Sequence, residues 1–544
     1  AAAAAADSTL AAAAGDDDAS AWANTDNEPV VYKDIKKAFN RVLKAVDGKD
    51  GEAVPATAPP SSGAEPEDDK PAPPSGAAML AADLNLEELD DLDLQPLWLP
   101  ESLLDLRSQE AMRSGEIPLV KMTDVDAVKS EVCAARFVVT GTDFSPYCVL
   151  LRGRLAGART ARAQAVAELR AAFNSYNDGD VASRLEMLVL PEPPTMQEIE
   201  EEFEFESERE RDLALALLPR QMAPSPAGPG AYALSLVSYF GGTFTLLAFA
   251  LGSFAMNRQV MDALELGQPG AIDCALPLFY ALFASQFAHD IAHVVTAQVV
   301  GAELAPPVLL PSLQTGVYGS ITRFSNFPRD LKQVFDVAIA GPLAGLAVSL
   351  GLVAYGVLAQ QGVDPDAVNT LRTALPAVPA STLHLSLPVA GITALLDTSG
   401  NLLQKPVADL IYMHPALLGG CVGTIINALN LIPAGRLDGN RLVGAAFGRG
   451  AARIATLTIL GIIGLSTFVS PPPEGGSAGA VALDVSSLLL YWGIFTLIFQ
   501  RNQDVAALDE VSDIGIPRKV ASVAAVAFGL LCLIPYPDVS GILV

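Results

Sequence analysis

Basic residues are scarce in this 544-residue sequence, which has 34 Lys and Arg against 61 Asp and Glu and a formal net charge of −27. Nucleic-acid binding needs a basic face to meet phosphate, so this balance argues against a nucleic-acid partner. The five cysteines form no C-x-x-C pair, and their odd number argues against a disulfide scaffold. Histidine is rarer still: there are four, and all of them lie in the C-terminal half.

Hydrophobic residues, in contrast, make up 51% of the chain, and they are separated from the charge. Residues 1–228 contain 21 Lys and Arg and 42 Asp and Glu, a formal charge of −21, whereas residues 229–544 carry only −6. The second part has seven apolar stretches, most of them near the roughly 20 residues that span a bilayer. They are residues 232–256, 274–300, 334–360, 411–433, 454–470, 482–500 and 520–537. The pattern predicts a polytopic α-helical membrane protein with about seven spans; the short apolar segment 383–396 is a re-entrant or interfacial piece, or an extra span.

The acidic part of the chain divides by composition. Residues 1–83 are rich in Ala, Asp and Pro and predict a disordered acidic arm. An acidic helical segment is expected at 84–124, and a small soluble α/β domain at 125–193, where strand-like runs flank an amphipathic helix. An acidic helix and linker at 194–230 would then lead to the membrane domain, 231–544.

The loop charges predict the orientation in the membrane. With seven spans, ten Lys and Arg lie in loops on the side of the N-terminal domain and three lie on the opposite side. The positive-inside rule then places the N-terminal domain in the cytosol-equivalent compartment.

The second apolar stretch contains the sequence FAHDIAH. His289 and His293 stand at i and i+4, so they share one helical face and their imidazoles can bind one Zn²⁺. The usual motif is H-E-x-x-H, in which Glu is the general base; here Asp290 takes that position. The alternative is that both histidines bond to neighbouring helices, but ionisable groups inside a span are costly and favour a functional site.

A third ligand is available at the end of the fourth stretch, in NALNLIPAGRLDG. Asp438 follows a helix-ending proline and precedes a turn glycine, so capping of a D-G turn is the alternative role. In the seven-span layout His293 and Asp438 lie toward the same side of the membrane. We therefore expect the two residues to meet in a cleft slightly inside the bilayer.

The two motifs in this order, HDIAH and NLIPAGRLDG, resemble those of the site-2 protease family of intramembrane zinc metalloproteases (peptidase M50 type). The stretches GVYGSITRFSNFPRDLKQVFDVAIAGPLAG and QRNQDVAALDEVSDIG are most similar to its chloroplast branch, named for ethylene-dependent gravitropism deficiency and yellow-green leaves. The resemblance covers about residues 125–544.

This resemblance implies a zinc-dependent metalloendopeptidase that is multi-pass in a chloroplast membrane, thylakoid or inner envelope, with a stromal N-terminal domain. The implied partners are a membrane protein substrate, membrane lipid, and a membrane complex or a second copy of the chain. The resemblance implies His289, His293 and Asp438 as the zinc ligands and Asp290 as the catalytic base.

The resemblance also implies that Asn430 and Pro433 shape the site and that Gly319 lies in a β-like edge, Gly316–Phe324. An unfolded substrate segment can pair with such an edge, although an ordinary connecting hairpin fits the same residues equally well. Asp is one methylene shorter than Glu, which withdraws the Asp290 carboxylate by up to about 1.5 Å. The alternative function is therefore a zinc-binding pseudoprotease that acts as a membrane scaffold or assembly subunit.

Overall fold

The computed structural model describes most of the chain from Val120 onward, and all described residues belong to the second of two units, Leu89–Val544. The described ranges are 120–145, 148–156, 162–176, 185–192, 213–220, 223–224, 226–268, 270–362, 374–399, 402–469, 485–500 and 504–537. The predicted arm 1–83 lies outside them, as do nearly all of the acidic segment 84–124 and residues 193–212 of the acidic helix.

A four-stranded antiparallel sheet, here called the N-terminal sheet, occupies the described residues between 120 and 220. Its elements are α1 (Met122–Ala127), continued by a π-helical turn (Val128–Cys133), β1 (Phe137–Ser145), β2 (Cys148–Leu155), α2 (Arg162–Ser175), β3 (Leu185–Pro191) and β4 (Leu213–Pro219). The strand order is β1-β2-β4-β3. Val149 and Leu151 of β2 pack in the cluster that contains α2, whereas Cys148 and Leu150 pack in a separate cluster on the other face. This alternation follows from the pleat of the strand, and it buries both faces of the sheet.

Strand β4 corrects a sequence prediction: an acidic helix followed by a linker was expected at 194–230, and Leu213–Pro219 is a strand instead. All seven residues of β4 are buried, and the strand pairs with β2 on one side and β3 on the other. Leu and Ala favour helix by propensity, but a short continuous apolar run is also typical of a strand buried on both faces. Pairing with β2 and β3 favours the strand over the helix. The sheet therefore extends beyond residue 193, where the α/β domain was predicted to end.

From Pro229 onward the described chain is mainly helical. The helices are α3 (Pro229–Gly252), α4 (Arg258–Glu265), α5 (Leu276–Val300), α6 (Leu331–Gln360), α7 (Leu387–Leu396), α8 (Pro415–Asn430), α9 (Asp438–Phe447), α10 (Arg449–Val469), α11 (Val485–Phe495) and α12 (Ile516–Cys532). Short 3-10 turns precede α5 (Asp273–Ala275) and α7 (Ala380–His384), and a π-helical turn (Thr496–Gln500) continues α11.

Two small antiparallel sheets lie between these helices. The first is a hairpin of β5 (Val308–Ser312) and β6 (Gly316–Ile321), and the second pairs β7 (Ala377–Pro379) with β8 (Leu410–Tyr412). The hairpin packs against α3 and reaches α8, so it stands beside the helices that carry the two motifs.

Each of the seven predicted apolar stretches contains a helix. Among the described residues, α3 and α6 are long and apolar enough to cross a bilayer, and α7, α8 and Leu488–Ile498 form shorter apolar helices. Helix α5 is long enough but contains charged and polar side chains. Helix α8 is apolar but has only 16 residues. The helical membrane class is supported at this level, and seven spans stay a prediction.

Helices α5, α6 and α8 pack against one another in the middle of the described structure. Helix α6 begins after Asp330, whose side chain accepts a hydrogen bond from the backbone N–H of Gln333. Helix α8 begins with Pro415 in its first turn, and the Nδ1 atom of His414 accepts a hydrogen bond from the N–H of Ala416. These capped ends begin two of the three helices that meet at the candidate site.

Candidate metal centre

The structure places His289 and His293 side by side on the face of α5 that is turned toward α6 and α8. Both side chains are fully buried, and their Nε2 atoms lie 3.1 Å apart. The i, i+4 spacing produces this arrangement, because residues four apart on a helix lie one above the other. Two imidazole nitrogens therefore point at a common position.

Asp438 completes a group of three. Its Oδ2 atom lies 3.2 Å from Nε2 of His293 and 3.5 Å from Nε2 of His289. The chain reaches this position because α8 ends before Pro433 and a tight turn then leads into α9, whose first residue is Asp438. Sequence reasoning predicted that these residues meet, and the structure brings them together.

The three donor atoms fit a tetrahedral metal ion. Zinc binds nitrogen and oxygen at about 2.0–2.1 Å, so two ligands of a tetrahedral ion are about 3.3–3.4 Å apart. The observed separations of 3.1, 3.2 and 3.5 Å match that edge length. Among the described residues, these three form the group of His, Cys, Asp or Glu side chains that can hold a metal. The group leaves one tetrahedral position for water or substrate.

Hydrogen bonds fix the tautomer of both histidines. Nδ1 of His293 lies 2.9 Å from the carbonyl oxygen of Val337, which can only accept, so Nδ1 carries the proton. Nδ1 of His289 lies 2.9 Å from Oδ1 of Asn427. The amide nitrogen of Asn427 donates to the carbonyl of Gly423, so its oxygen faces His289 and accepts. In the neutral imidazole of each histidine, Nε2 is then unprotonated and can bind a metal.

Asp290 lies next to His289 in sequence, but its carboxylate is held by other partners. Oδ1 accepts hydrogen bonds from the hydroxyl of Ser320 and from Nε2 of Gln286, the latter at 2.9 Å, and Oδ2 accepts from the hydroxyl of Tyr239. These donors belong to β6, α5 and α3. Asp290 is therefore a buried carboxylate fixed by three elements, adjacent to the three-residue group and not a member of it.

A small cavity of about 20 Å³ opens at Asp438. Its lining includes Tyr318, Ser320, Asn430, Trp492 and Phe495. Gly319 has a φ of 122°, and a Cβ atom there would lie 2.6 Å from the amide nitrogen of Asn430. The structure thus brings Asn430 and Gly319 into contact beside the cavity, and Pro433 is buried in the turn that delivers Asp438.

Sequence reasoning missed several parts of this site. They are the two acceptors for the histidine Nδ1 protons, Asn427 and the Val337 carbonyl, the donors Tyr239 and Gln286 of the Asp290 carboxylate, and the cation beside Asp438. That cation is Arg441, whose Nη1 lies 3.1 Å from Oδ1 of Asp438. The sequence does contain a signal for Arg441, because it follows Asp438 by three residues at the start of a helix and so shares its face. The role of the Val337 carbonyl cannot be predicted from residue type, because every residue has a backbone carbonyl.

Comparisons with known proteins agree with the two motifs. Residues 277–468, which include all three members of the group, match the model of Peptidase family M50. The chain is 28% identical over 328 residues to "Probable zinc metalloprotease EGY1, chloroplastic" of Oryza sativa subsp. japonica, which covers 58% of this chain and 52% of that protein. It is 30% identical over 267 residues to the protein of the same name from Arabidopsis thaliana, covering 49% and 44%.

A third relative, "Probable zinc metalloprotease EGY2, chloroplastic" of Arabidopsis thaliana, is 31% identical over 283 residues, covering 51% of this chain and 44% of the relative. The chain spans about half the length of these relatives. No solved structure matches it. The family resemblance predicted from the motifs is confirmed, and nothing in the relatives' names supports the pseudoprotease alternative.

Proposed function

We propose that this chain is a zinc-dependent intramembrane endopeptidase of the chloroplast that cleaves membrane-anchored protein substrates. The observation that carries the proposal is the group of His289, His293 and Asp438, whose donor separations fit a tetrahedral ion within a stretch that matches Peptidase family M50. The relatives' names supply the metal, zinc, and the compartment.

Zinc, when bound, supplies Lewis acidity for water activation and for polarising a scissile carbonyl. The protein's own contribution is orientation. Val337 and Asn427 hold the two imidazoles with Nε2 toward the ion, and the Asp438 carboxylate presents Oδ2 to the same position. Because all of these groups are buried, the site works in a low dielectric, where charges interact strongly.

Asp290 is proposed to accept the proton of the attacking water. Asp290 has the sequence position of the usual Glu, and Gln286, Ser320 and Tyr239 hold its carboxylate in one orientation. Because these donors remove the rotamer freedom of the side chain, the carboxylate needs no reorganisation during the reaction.

The substrate is proposed to bind in extended form along β6. Within the described residues β6 pairs with one strand, β5, and Tyr318 and Ser320 of β6 line the cavity at Asp438. A peptide in this position adds a strand to the hairpin and directs a carbonyl toward the metal group. Asn430 is proposed to contact the peptide from the opposite side of the cavity.

The seven-span layout in a thylakoid or inner-envelope membrane, with the N-terminal sheet in the stroma, belongs to the same proposal. Helix α3 supports it, because Leu236, Phe240 and Phe244, at four-residue spacing, are all more than 60% exposed. A continuous exposed apolar stripe on a 24-residue helix fits contact with lipid. A membrane complex or a homo-oligomer is the proposed setting.

The experiment is cleavage of a reporter protein with one transmembrane segment by the purified chain in proteoliposomes. We expect cleavage by the wild type, loss of cleavage on zinc chelation, and none by His293→Ala. An Asp290→Glu variant, which restores the usual base, should also cleave. Cleavage by Asp290→Glu together with an inert, zinc-loaded wild type would contradict the enzyme function and favour a pseudoprotease.

A further inference from the structure

Arg441 of α9 is a buried guanidinium with partners on three sides. Its Nη1 atom donates to Oδ1 of Asp438 and to the hydroxyl of Thr322, each at 3.1 Å, and its Nη2 donates to the Thr322 carbonyl. Its Nε donates to Oδ2 of Asp504 at 2.6 Å. The residue is 5% exposed, and the ring of Phe324 lies against the guanidinium at 5.6 Å. A planar fork with so many fixed partners can hold only one orientation.

The two oxygens of the Asp438 carboxylate have different partners. Oδ2 faces the histidine nitrogens, and Oδ1 receives the Arg441 hydrogen bond. A carboxylate that is anchored through one oxygen presents the other in a fixed direction. Arg441 therefore sets the direction in which Asp438 offers its donor atom to the metal.

Asp504 belongs to a segment, residues 504–512, that is attached to the N-terminal sheet. The backbone N–H of Val189 in β3 donates to the carbonyl of Leu508, and the N–H of Glu510 donates back to the carbonyl of Val189, both at 3.0 Å. Apolar contacts reinforce the attachment, because Ala506 packs in the same cluster as β3 and β4 residues. The segment thus extends the sheet at its β3 edge while its first residue contacts Arg441.

We propose that Arg441 is a positioning residue that couples the orientation of Asp438 to the docking of segment 504–512 on the N-terminal sheet. The chain of contacts runs from β3 through the segment to Asp504, then through Arg441 to the metal-facing carboxylate. Docking of the sheet consequently tunes how tightly the site holds its metal. This inference rests on the proposed zinc site and assigns its control to a part of the chain outside the two motifs.

The charges explain why both Asp504 and Arg441 are needed. Arg441 lies between two carboxylates, so a variant without the guanidinium leaves the buried Asp438 and the partly buried Asp504 without their cation. Lysine at 441 would keep the positive charge but cannot donate to Asp438, Thr322 and Asp504 in one plane. The Asp504→Ala variant would lose the hydrogen bond to Nε, so that Asp438 and Thr322 alone would hold the guanidinium.

The chain offers a matched control at the other end of the same segment. Glu510 also forms an ion pair, with Arg449 at 2.7 Å, and accepts one backbone hydrogen bond within the segment, from Ala507. Asp504 likewise accepts a backbone hydrogen bond, from Val505. Glu510 has the more extensive ion pair, because Arg449 donates to it through Nε and Nη2 and also donates to the Asp504 carbonyl. Of the two acidic residues, it is Asp504 that pairs with the arginine bound to Asp438.

The experiment compares full-length wild type, Arg441→Lys, Asp504→Ala and Glu510→Ala in detergent. Zinc affinity is measured by competition with a chromophoric chelator, and the geometry of the site by the visible absorption of the cobalt(II)-loaded protein. Outer groups that orient metal ligands typically contribute 10–100-fold to affinity. We expect Arg441→Lys and Asp504→Ala to bind zinc about 10–100-fold more weakly, with altered cobalt spectra, while Glu510→Ala keeps both within about threefold of wild type.

Equal loss in Asp504→Ala and Glu510→Ala would overturn the inference, because the segment would then be a general structural support. Unchanged zinc affinity and cobalt spectra in Arg441→Lys and Asp504→Ala would overturn it as well. A wild type that binds no stoichiometric zinc would contradict the proposed function itself, and with it this inference. Wild-type binding with insensitive variants contradicts the inference alone.

Discussion

Replacement of Gly341 by alanine is expected to displace a metal ligand without touching any of the three ligands directly. Gly341 lies in α6 where the helix passes the His293 ring, and a Cβ atom there would be 2.2 Å from Nε2 and 2.5 Å from Cδ2. Ordinary contact between such atoms begins at about 3.5 Å, so the ring or the helix must move by roughly 1 Å. Zinc sites tolerate about 0.2 Å in their bond lengths. We therefore expect zinc affinity to fall by about 100-fold or more, which is a larger loss than that expected from removing a group that only orients a ligand.

The same helix provides the control. Gly351→Ala makes the same chemical change, but its Cβ atom would meet no atom within 4 Å. Both substitutions favour helix formation by up to about 1 kcal/mol, so a loss of helix cannot explain a difference between them. Zinc affinity is measured by chelator competition and helix content by circular dichroism. If Gly341→Ala bound zinc as tightly as Gly351→Ala, the packing of α6 against the metal site would be refuted.

Three further predictions concern the base, the second histidine acceptor and the N-terminal sheet. Asp290→Asn should abolish reporter cleavage but keep one zinc per chain, because Asp290 lies outside the ligand group; loss of zinc by elemental analysis would count against this separation. Asn427→Ala removes the acceptor for the Nδ1 proton of His289 and should weaken zinc binding about 10–100-fold; unchanged affinity would show that the tautomer is fixed in another way. Burial raises the pKa of the Cys133 thiol to about 11 and that of Cys148 to about 12, whereas unfolded thiols ionise at about pH 8.5. The unfolded chain therefore holds fewer protons above that pH, and the free energy of unfolding should fall as the pH rises from 8.5 toward 11, by up to about 1.4 kcal/mol per pH unit for each thiol. Denaturant titrations of a Cys133→Ala/Cys148→Ala variant should show a flatter slope, and an unchanged slope would contradict the assignment.

The metal group could be predicted from sequence because its members follow local rules. The spacing of His289 and His293 places them on one helical face, and the proline and glycine around Asp438 indicate a turn at a helix end. The apolar stretches predict the helices on which both motifs lie, and all of those helices are present. To bring the two motifs together, the prediction needed one further assumption about topology: that the second and fourth apolar stretches end on the same side of the membrane.

The rest depends on contacts that residue spacing does not encode. Asp504 reaches Arg441 across 63 positions, and the acceptor for His293 is a backbone carbonyl. Strand β4 shows the same limit in the fold, because LALALLP fits a helix as well as a buried strand until its neighbours are known. The local sequence pattern predicts the metal ligands, but the groups that orient these ligands are determined by tertiary contacts.

X-ray absorption at the zinc edge of the purified chain reports the ligands of the proposed zinc site directly. We expect one zinc per chain with nitrogen and oxygen ligands only, at about 2.0–2.1 Å, including the scattering pattern of two imidazoles. The Asp438→Ala variant should keep the imidazole pattern of any zinc it still binds and lose one oxygen ligand. Sulfur ligands at about 2.3 Å, or a wild-type spectrum without two imidazoles, would contradict the assignment of His289, His293 and Asp438 as the zinc ligands.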